Sequence, residues 1–150
     1  MLSKAKQIIR AQLVQGLSVS SCQVAIAMAL TLGVFPILGC STPMNMIAGF
    51  RFKLNQPIIQ FFNYLAAPLK LLLILPFIRL GEWLFQAEPF RLSLTEFSYR
   101  FFADVTTTST EFFWTFVHAI IAWCICAPLI YGCLLILTKP LIKRLSLSLS

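Results

Sequence analysis

The segment that decides the fold is residues 21–52, SCQVAIAMALTLGVFPILGCSTPMNMIAGFRF. Its two halves are apolar and helical in character, and between them lie two prolines, Pro36 and Pro43, with two glycines nearby. Proline removes a backbone donor and disfavours helix in the residue before it, so we expect the first helix to stop there. Each half has about a dozen residues, roughly 18 Å of helix, whereas a hydrocarbon core is about 30 Å thick. Two short helices around a break predict a re-entrant hairpin over residues 20–53, which enters and leaves a membrane on the same face.

The distribution of charge supports this topology. All five carboxylates lie within residues 82–111, and the basic residues concentrate at 4–10, 51–53 and 139–144. Short basic loops stay on the cytoplasmic side of a membrane, so both flanks of the hairpin and both termini are predicted to be cytoplasmic. The alternative is a single kinked span, which would place Arg51 and Lys53 on the far side and break the charge rule.

The composition is that of a membrane protein. Hydrophobic residues make up 59% of the 150 residues and charged residues 11%, whereas a soluble domain carries roughly a quarter charged residues. No charged residue occurs in residues 11–50 or 112–138, and about 20 apolar residues are enough to cross a bilayer. We therefore predict an all-α, small integral membrane protein with a single membrane domain over residues 1–150.

The net charge of +7 does not indicate a nucleic-acid partner, because the basic residues lie at the ends of apolar segments rather than along one polar face. The anionic headgroups of membrane lipids are the expected partners of these residues. The five cysteines lie within apolar segments, and their odd number does not favour a disulfide framework. The sequence predicts no metal site and no cofactor.

The remaining segments follow from hydrophobic periodicity and from the positions of proline and charge. The start of the chain predicts an amphipathic helix in the membrane interface over residues 1–16. Pro68 and Pro76 predict kinks, or a second pair of half-helices, in the next apolar segment. The polar run TTTST is expected to end an outer helix before the last span begins. The order predicted after the hairpin is a kinked span over 57–84, an outer amphipathic segment over 88–107, a final span over 111–138 and a basic cytoplasmic tail over 139–150.

Polar side chains at bilayer depth are costly, so each one is a candidate for function. Thr42 is predicted to cap the second helix of the hairpin, and the N-terminus of a half-helix offers N–H groups and a positive dipole end to a phosphate or carboxylate. Asn63 and Lys70 are seven residues apart and share a helical face, where they would present an amide and a cation to an anionic group. The predicted substrate-binding residues are Gly39, Ser41, Thr42, Asn45, Asn63 and Lys70.

Each of these assignments has a structural alternative. Thr42 would merely cap its own helix, Lys70 would extend its ammonium to an interface, and Asn63 would bond a neighbouring backbone. No enzyme is predicted and no catalytic residue is assigned, because no pair of carboxylates lies within a span and no serine, histidine and acid share a site. Glu82 is expected to be solvated at the outer interface, and His118 to be an interfacial or packed residue.

Several blocks of the sequence, taken in combination, resemble one family. They are QGLS at 15–18, GVFPILG at 33–39, RFKLNQP at 51–57, NY at 63–64 with Pro68, and PFIRLGE at 76–82. Over roughly residues 13–138 the chain resembles the bacterial membrane-protein family filed as domain of unknown function 2062. The resemblance implies a small helical protein of the bacterial inner (plasma) membrane, sometimes joined to a glycosyltransferase domain, and it supplies no established activity. Lys70 departs from the family, which favours an uncharged polar residue there.

Two functions follow as expectations. The first is the handling or translocation of a lipid or small anionic substrate through a polar pocket at mid-membrane depth. The second, raised by the glycosyltransferase fusions of the family, is a non-transporting scaffold or accessory subunit for an envelope glycosyltransferase or lipid-assembly enzyme. Because so short a chain hardly encloses a pathway alone, we expect a homo-oligomer or a partner membrane protein.

Overall fold

The computed structural model describes residues 18–89 and 105–147, together with Gln7. Over these residues the chain forms helices and no strand, which confirms the predicted all-α class. The predicted interfacial helix over 1–16, Gln7 apart, and most of the outer segment over 88–107 lie outside the described residues. The helices are α1 (Val19–Gly33), α2 (Ser41–Arg51), α3 (Gln56–Leu65), α4 (Ala67–Phe85) and α5 (Val105–Leu147).

The first two helices, α1 and α2, pack against each other as a helical hairpin joined by residues 34–40. The Ser18 side chain caps α1 by accepting a hydrogen bond from the Ser21 amide at 3.1 Å. Pro36 lies in the turn, where the sequence predicts a break, and Gly39 adopts a φ of +86° that side chains disfavour. At 1.5 Å per residue α1 is about 22 Å long and α2 about 16 Å, so each is shorter than a hydrocarbon core of about 30 Å.

The next two helices, α3 and α4, meet at an angle of 61° at Ala66. Pro68 lies in the first turn of α4, where its missing N–H costs no helical hydrogen bond. In the interior of a helix the Pro68 ring would clash with the preceding turn. A new helix therefore begins at this position instead of a continuation of α3. The segment predicted as one kinked span, 57–84, is thus two helices, and Pro76 lies inside α4 without ending it.

The last helix, α5, is 43 residues long and continues through Pro128 and Pro140. It extends beyond the predicted final span over 111–138 in both directions: the TTTST run lies inside it, and most of the predicted tail over 139–150 is helical. Ile142 accounts for the extension at the C-terminal end. This side chain is buried against α1 and α3, and the packing favours helix beyond Pro140.

One helix in the described part of the chain is long and apolar enough to cross a bilayer, and a second crossing is available if α3 and α4 count as one bent span. The long apolar stretch within α5 is Thr110–Arg144, with a mean hydropathy of 2.5 over its most apolar window of 18 residues. Only 11% of that window is buried inside the fold. The most apolar part of α5 therefore faces mostly outward.

Two clusters of buried side chains hold the helices together. The first joins α1 to α3 and to the end of α5 through Cys22, Ala25, Ile26, Ala29, Ile58, Ile59, Phe62 and Ile142. The second joins the hairpin turn to α4 and to the middle of α5 through Val34, Phe35, Ala66, Phe77, Ile78, Ala119 and Trp123. The hairpin turn itself rests on α5, because the rings of Phe35 and Trp123 meet edge to face with centroids 5.0 Å apart.

Glycine allows two close approaches between helices. A Cβ on Gly81 of α4 would lie 2.5 Å from the carbonyl carbon of His118 in α5. A Cβ on Gly33, at the end of α1, would lie 2.9 Å from the Cβ of Ala66, at the bend between α3 and α4. Small residues at helix crossings are a common means of close packing in membranes. The Gly33 contact fixes where the bend sits against the hairpin, and the Gly81 contact fixes the crossing of α4 and α5.

Candidate functional site

The centre of the candidate site is the Lys70 side chain, which extends from the first turns of α4 toward the start of α2. Lys70 is only 7% exposed, and its Nζ donates a hydrogen bond to the Ser41 hydroxyl. Among the described residues, no carboxylate lies within ion-pair distance of this ammonium. The bend at Ala66 brings Lys70 to Ser41, because it turns α4 away from the axis of α3 directly before Lys70. The alternative in which Lys70 extends to an interface does not match this burial.

The first turn of α2 supplies the polar groups that face Lys70. Ser41 is 2% exposed and Asn45 is fully buried, one helical turn later on the same face. The Asn45 Nδ2 donates a hydrogen bond to the Ser41 carbonyl at 3.0 Å, while the Asn45 Oδ1 has no hydrogen-bond partner in the described structure. Ser41 therefore contacts both Lys70 and Asn45, and the three side chains form one buried polar cluster.

A second bond ties the same turn of α2 to α3. The Asn63 Nδ2 donates to the Thr42 Oγ1 at 3.1 Å, and Asn63 itself is 3% exposed. The prediction that Thr42 caps α2 is wrong: the N-cap residue is Cys40, with no side-chain cap hydrogen bond, and α2 begins at Ser41. The Thr42 hydroxyl is instead used between helices, and Asn63 bonds a side chain rather than a neighbouring backbone.

Five of the six predicted site residues thus form a connected set, which we call the Lys70 site: Ser41, Thr42, Asn45, Asn63 and Lys70. Gly39 does not belong to it. Gly39 is exposed in the hairpin turn, and no atom lies within 4 Å of where its Cβ would be. Its role in the structure is conformational, because its φ of +86° is one that glycine adopts without strain.

The electrostatic character of the Lys70 site is positive. The N-terminus of a helix carries roughly half a positive charge from its aligned peptide dipoles, and Ser41 is the first residue of α2. The Lys70 ammonium is hydrogen-bonded to that same residue. The Lys70 ammonium and the positive N-terminus of α2 thus meet in the interior of the fold. Such an arrangement is suited to binding an anionic group.

A second polar region, near the C-terminal end of α4, differs from what the sequence predicts. Glu82, expected to be solvated, is only 4% exposed and accepts a hydrogen bond from the Arg79 guanidinium at 2.7 Å. An open groove of about 580 Å³ adjoins this ion pair. Glu82 lies twelve residues after Lys70 along α4, about 18 Å at 1.5 Å per residue, so the two regions are separate. The i, i+3 spacing of Arg79 and Glu82 was the available signal for the pair.

The aromatic side chains around His118 explain its position. The imidazole stacks on the Phe85 ring with centroids 4.5 Å apart and lies 6.3 Å from the Trp114 ring. This is the packed state that the sequence suggests for His118. The sequence does not indicate the Gln23 contact, in which Nε2 donates to the Leu135 carbonyl of α5 at 2.6 Å.

No protein-family model, curated protein or solved structure matches this chain. The family resemblance of its sequence blocks therefore stays a prediction, and the function is argued from the residues of the Lys70 site themselves.

Proposed function

We propose that this chain is an integral membrane protein that binds an anionic lipid headgroup or a small anionic solute at the Lys70 site, and that it handles or translocates this ligand. The observation that carries the proposal is the buried Lys70 ammonium, which meets a serine hydroxyl and a helix N-terminus but no carboxylate among the described residues. Burying an ammonium costs several kcal/mol unless an opposite charge compensates it. An anion placed between Lys70 and the start of α2 would supply that compensation.

The exposed surface supports a membrane environment. Large apolar side chains are exposed along both long helices, for example Leu72 on α4 and Ile136 on α5, both nearly three-quarters exposed. The core helix of a soluble protein would be mostly buried, whereas the apolar window of α5 is not. In water such a surface would be costly, and in lipid it is the expected one.

The hairpin is the part of the fold that would dip into the bilayer from one side. Neither α1 nor α2 spans a hydrocarbon core, and the basic residues Arg51 and Lys53 follow α2 directly. In this arrangement the start of α2 and the Lys70 site lie at depth, and both ends of the hairpin lie at the cytoplasmic face. The protein would belong to the bacterial inner membrane.

Ligand entry requires a movement, because the Lys70 site is closed in this structure. Ser41 and Asn45 are buried, and two side-chain bonds join α2 to the bend, Lys70 to Ser41 and Asn63 to Thr42. A shift of the hairpin away from both α3 and α4 would break the two bonds and open the site. The ligand anion would then take the place of the Ser41 hydroxyl on Lys70.

The test is Lys70→Met, with Lys143→Met as a matched control that removes the same charge from an exposed position on α5. Both variants and the wild type are placed in a neutral detergent, and phosphatidylglycerol is added while the thermal midpoint and lipid binding by native mass spectrometry are followed. Ligand at 100 times its Kd stabilises the wild type and the control by about 2.7 kcal/mol. Lys70→Met should lose this stabilisation. Without lipid it should be as stable as the wild type or more so, because an apolar side chain of similar size has no charge to bury.

Equal lipid stabilisation of Lys70→Met and wild type would refute the anion site. The second function, a scaffold for an envelope glycosyltransferase or lipid-assembly enzyme, gives a different pattern in cells. A scaffold would tolerate Lys70→Met completely in a complementation assay, whereas a protein that handles the ligand at this site would not. The oligomeric state is measured in the same native mass spectra, where we expect a homo-oligomer or a complex with another membrane protein.

A further inference from the structure

We infer that the ligand of the Lys70 site carries hydrogen-bond donors, hydroxyl or ammonium groups, beside its anionic group: a phosphate ester of a polyol or of an amino alcohol. This inference rests on the proposed anion site and specifies which anion fits it. It comes from the two amide side chains of the site, whose oxygens are buried and have no partner in the described structure.

Asn45 gives the clearest evidence, because its orientation is fixed. The Ser41 carbonyl can only accept a hydrogen bond, so the amide nitrogen of Asn45 faces it and the oxygen is the unpaired end. Asn45 has no solvent-exposed surface, so bulk water does not reach this oxygen. Buried polar groups are nearly always hydrogen-bonded in folded proteins, and one that is not calls for an explanation. A donor on the ligand is that explanation.

Asn63 repeats the pattern from α3. Its Nδ2 is used by Thr42, and its Oδ1, also unpaired, lies 3.6 Å from the position that a Cβ on Gly33 would occupy. The two amide oxygens therefore belong to side chains bonded to consecutive residues of α2, Ser41 and Thr42. Lys70 bonds the first of these residues as well. One ammonium and two amide side chains thus bond consecutive residues at the start of a single helix.

The chemistry of these groups separates ligands that carry the same charge. A simple phosphodiester satisfies Lys70 and the helix N-terminus but offers nothing to the amide oxygens. A headgroup with a quaternary ammonium has no N–H to donate. A glycerol or ethanolamine phosphate provides both the anion and the donors, and a site built to bond a hydroxyl rejects the analogue that lacks it. The source is either a lipid headgroup or a soluble phosphate ester, because the recognising groups are the same for both.

The experiment compares phosphatidylglycerol with phosphatidylmethanol, whose headgroup carries the same single negative charge without a hydroxyl. The wild-type protein in neutral detergent is titrated with each lipid, and the Kd is taken from native mass spectrometry. Glycerol 1-phosphate and methyl phosphate are added as competitors in a second arm. We expect phosphatidylglycerol to bind at least about tenfold more tightly, since each lost bond to a buried acceptor lowers the affinity by about that factor. If glycerol 1-phosphate competes, the site also binds a soluble phosphate ester. If it does not compete, the ligand is the lipid. Both outcomes agree with the inference.

Asn45→Leu removes the unpaired oxygen while leaving Lys70 in place, and it should reduce the preference between the two lipids without abolishing binding. The wild-type comparison stands by itself if this variant does not fold. Equal affinity for both lipids would overturn the inference and leave the anion site intact, because water would then satisfy the amide oxygens. Failure of both lipids to bind the wild type above the level of Lys70→Met would instead overturn the proposed function.

Discussion

Gly81→Ala is the substitution whose effect the structure defines most sharply. The added Cβ would lie 2.5 Å from the carbonyl carbon of His118 and 2.6 Å from its oxygen, whereas ordinary contacts lie at 3.4–4 Å. The atoms it meets are backbone atoms of α5, so no side chain can rotate out of the way. The two helices must separate by about 1 Å, and overpacking of this kind costs roughly 1–3 kcal/mol.

The control is Gly132→Ala on the same long helix, where no atom lies within 4 Å of the new Cβ. Alanine favours helix over glycine by up to about 1 kcal/mol, so this variant should be as stable as the wild type or slightly more so. The assay is thermal unfolding in a mild detergent. For a chain of this size the midpoint of Gly81→Ala should fall by roughly 2–12 °C. A midpoint for Gly81→Ala that is equal to that of Gly132→Ala would refute the close contact between α4 and α5.

Three further predictions test the hairpin and its contact with the bend. Gly33→Ala should destabilise the protein by roughly 1–2 kcal/mol, because the new Cβ would lie 2.9 Å from the Cβ of Ala66. Adding Ala66→Gly should recover part of this loss, and additive effects in a double-mutant cycle would contradict the contact. In a cysteine-free background, Ser20→Cys and Lys53→Cys should both react with an impermeant thiol reagent from the cytoplasmic side, and labelling from opposite sides would exclude a re-entrant hairpin. Gly39→Ala should cost about 1 kcal/mol from its φ of +86° while leaving lipid affinity unchanged, and weaker lipid binding would return Gly39 to the site.

The sequence predicts much of the fold because proline acts locally. Pro36 removes a backbone donor whatever lies around it, so the break between α1 and α2 is visible in the sequence. Pro68 likewise lies at a break, since two helices meet at 61° at Ala66, whereas Pro76, Pro128 and Pro140 lie inside helices. The extension of α5 past Pro140 is different, since it depends on Ile142 packing against helices far away in the chain. A local pattern carries no information about such a contact.

The candidate site also combines residues that the sequence reveals with contacts that only the tertiary structure shows. A polar side chain in an apolar segment is costly wherever it occurs, so Asn63 and Lys70 stand out without any structure. The hydrogen-bond partners of these two side chains cannot be read from the sequence. Thr42 has the features of a helix cap, and only the tertiary arrangement turns its hydroxyl toward Asn63. The burial of Glu82 is equally dependent on folding, because Glu82 follows Gly81, where α4 packs closely against α5.

The edge-to-face contact between Phe35 and Trp123 gives this protein an intrinsic optical reporter. The Trp123 indole is buried and its Nε1 has no hydrogen-bond partner in the described structure, so its emission depends on the apolar side chains packed around it, Phe35 among them. Trp83 and Trp114 are exposed and should respond to the surrounding lipid instead. Displacement of the hairpin turn would therefore change the fluorescence of one tryptophan out of three, and stopped-flow mixing with ligand would time that displacement without any attached dye.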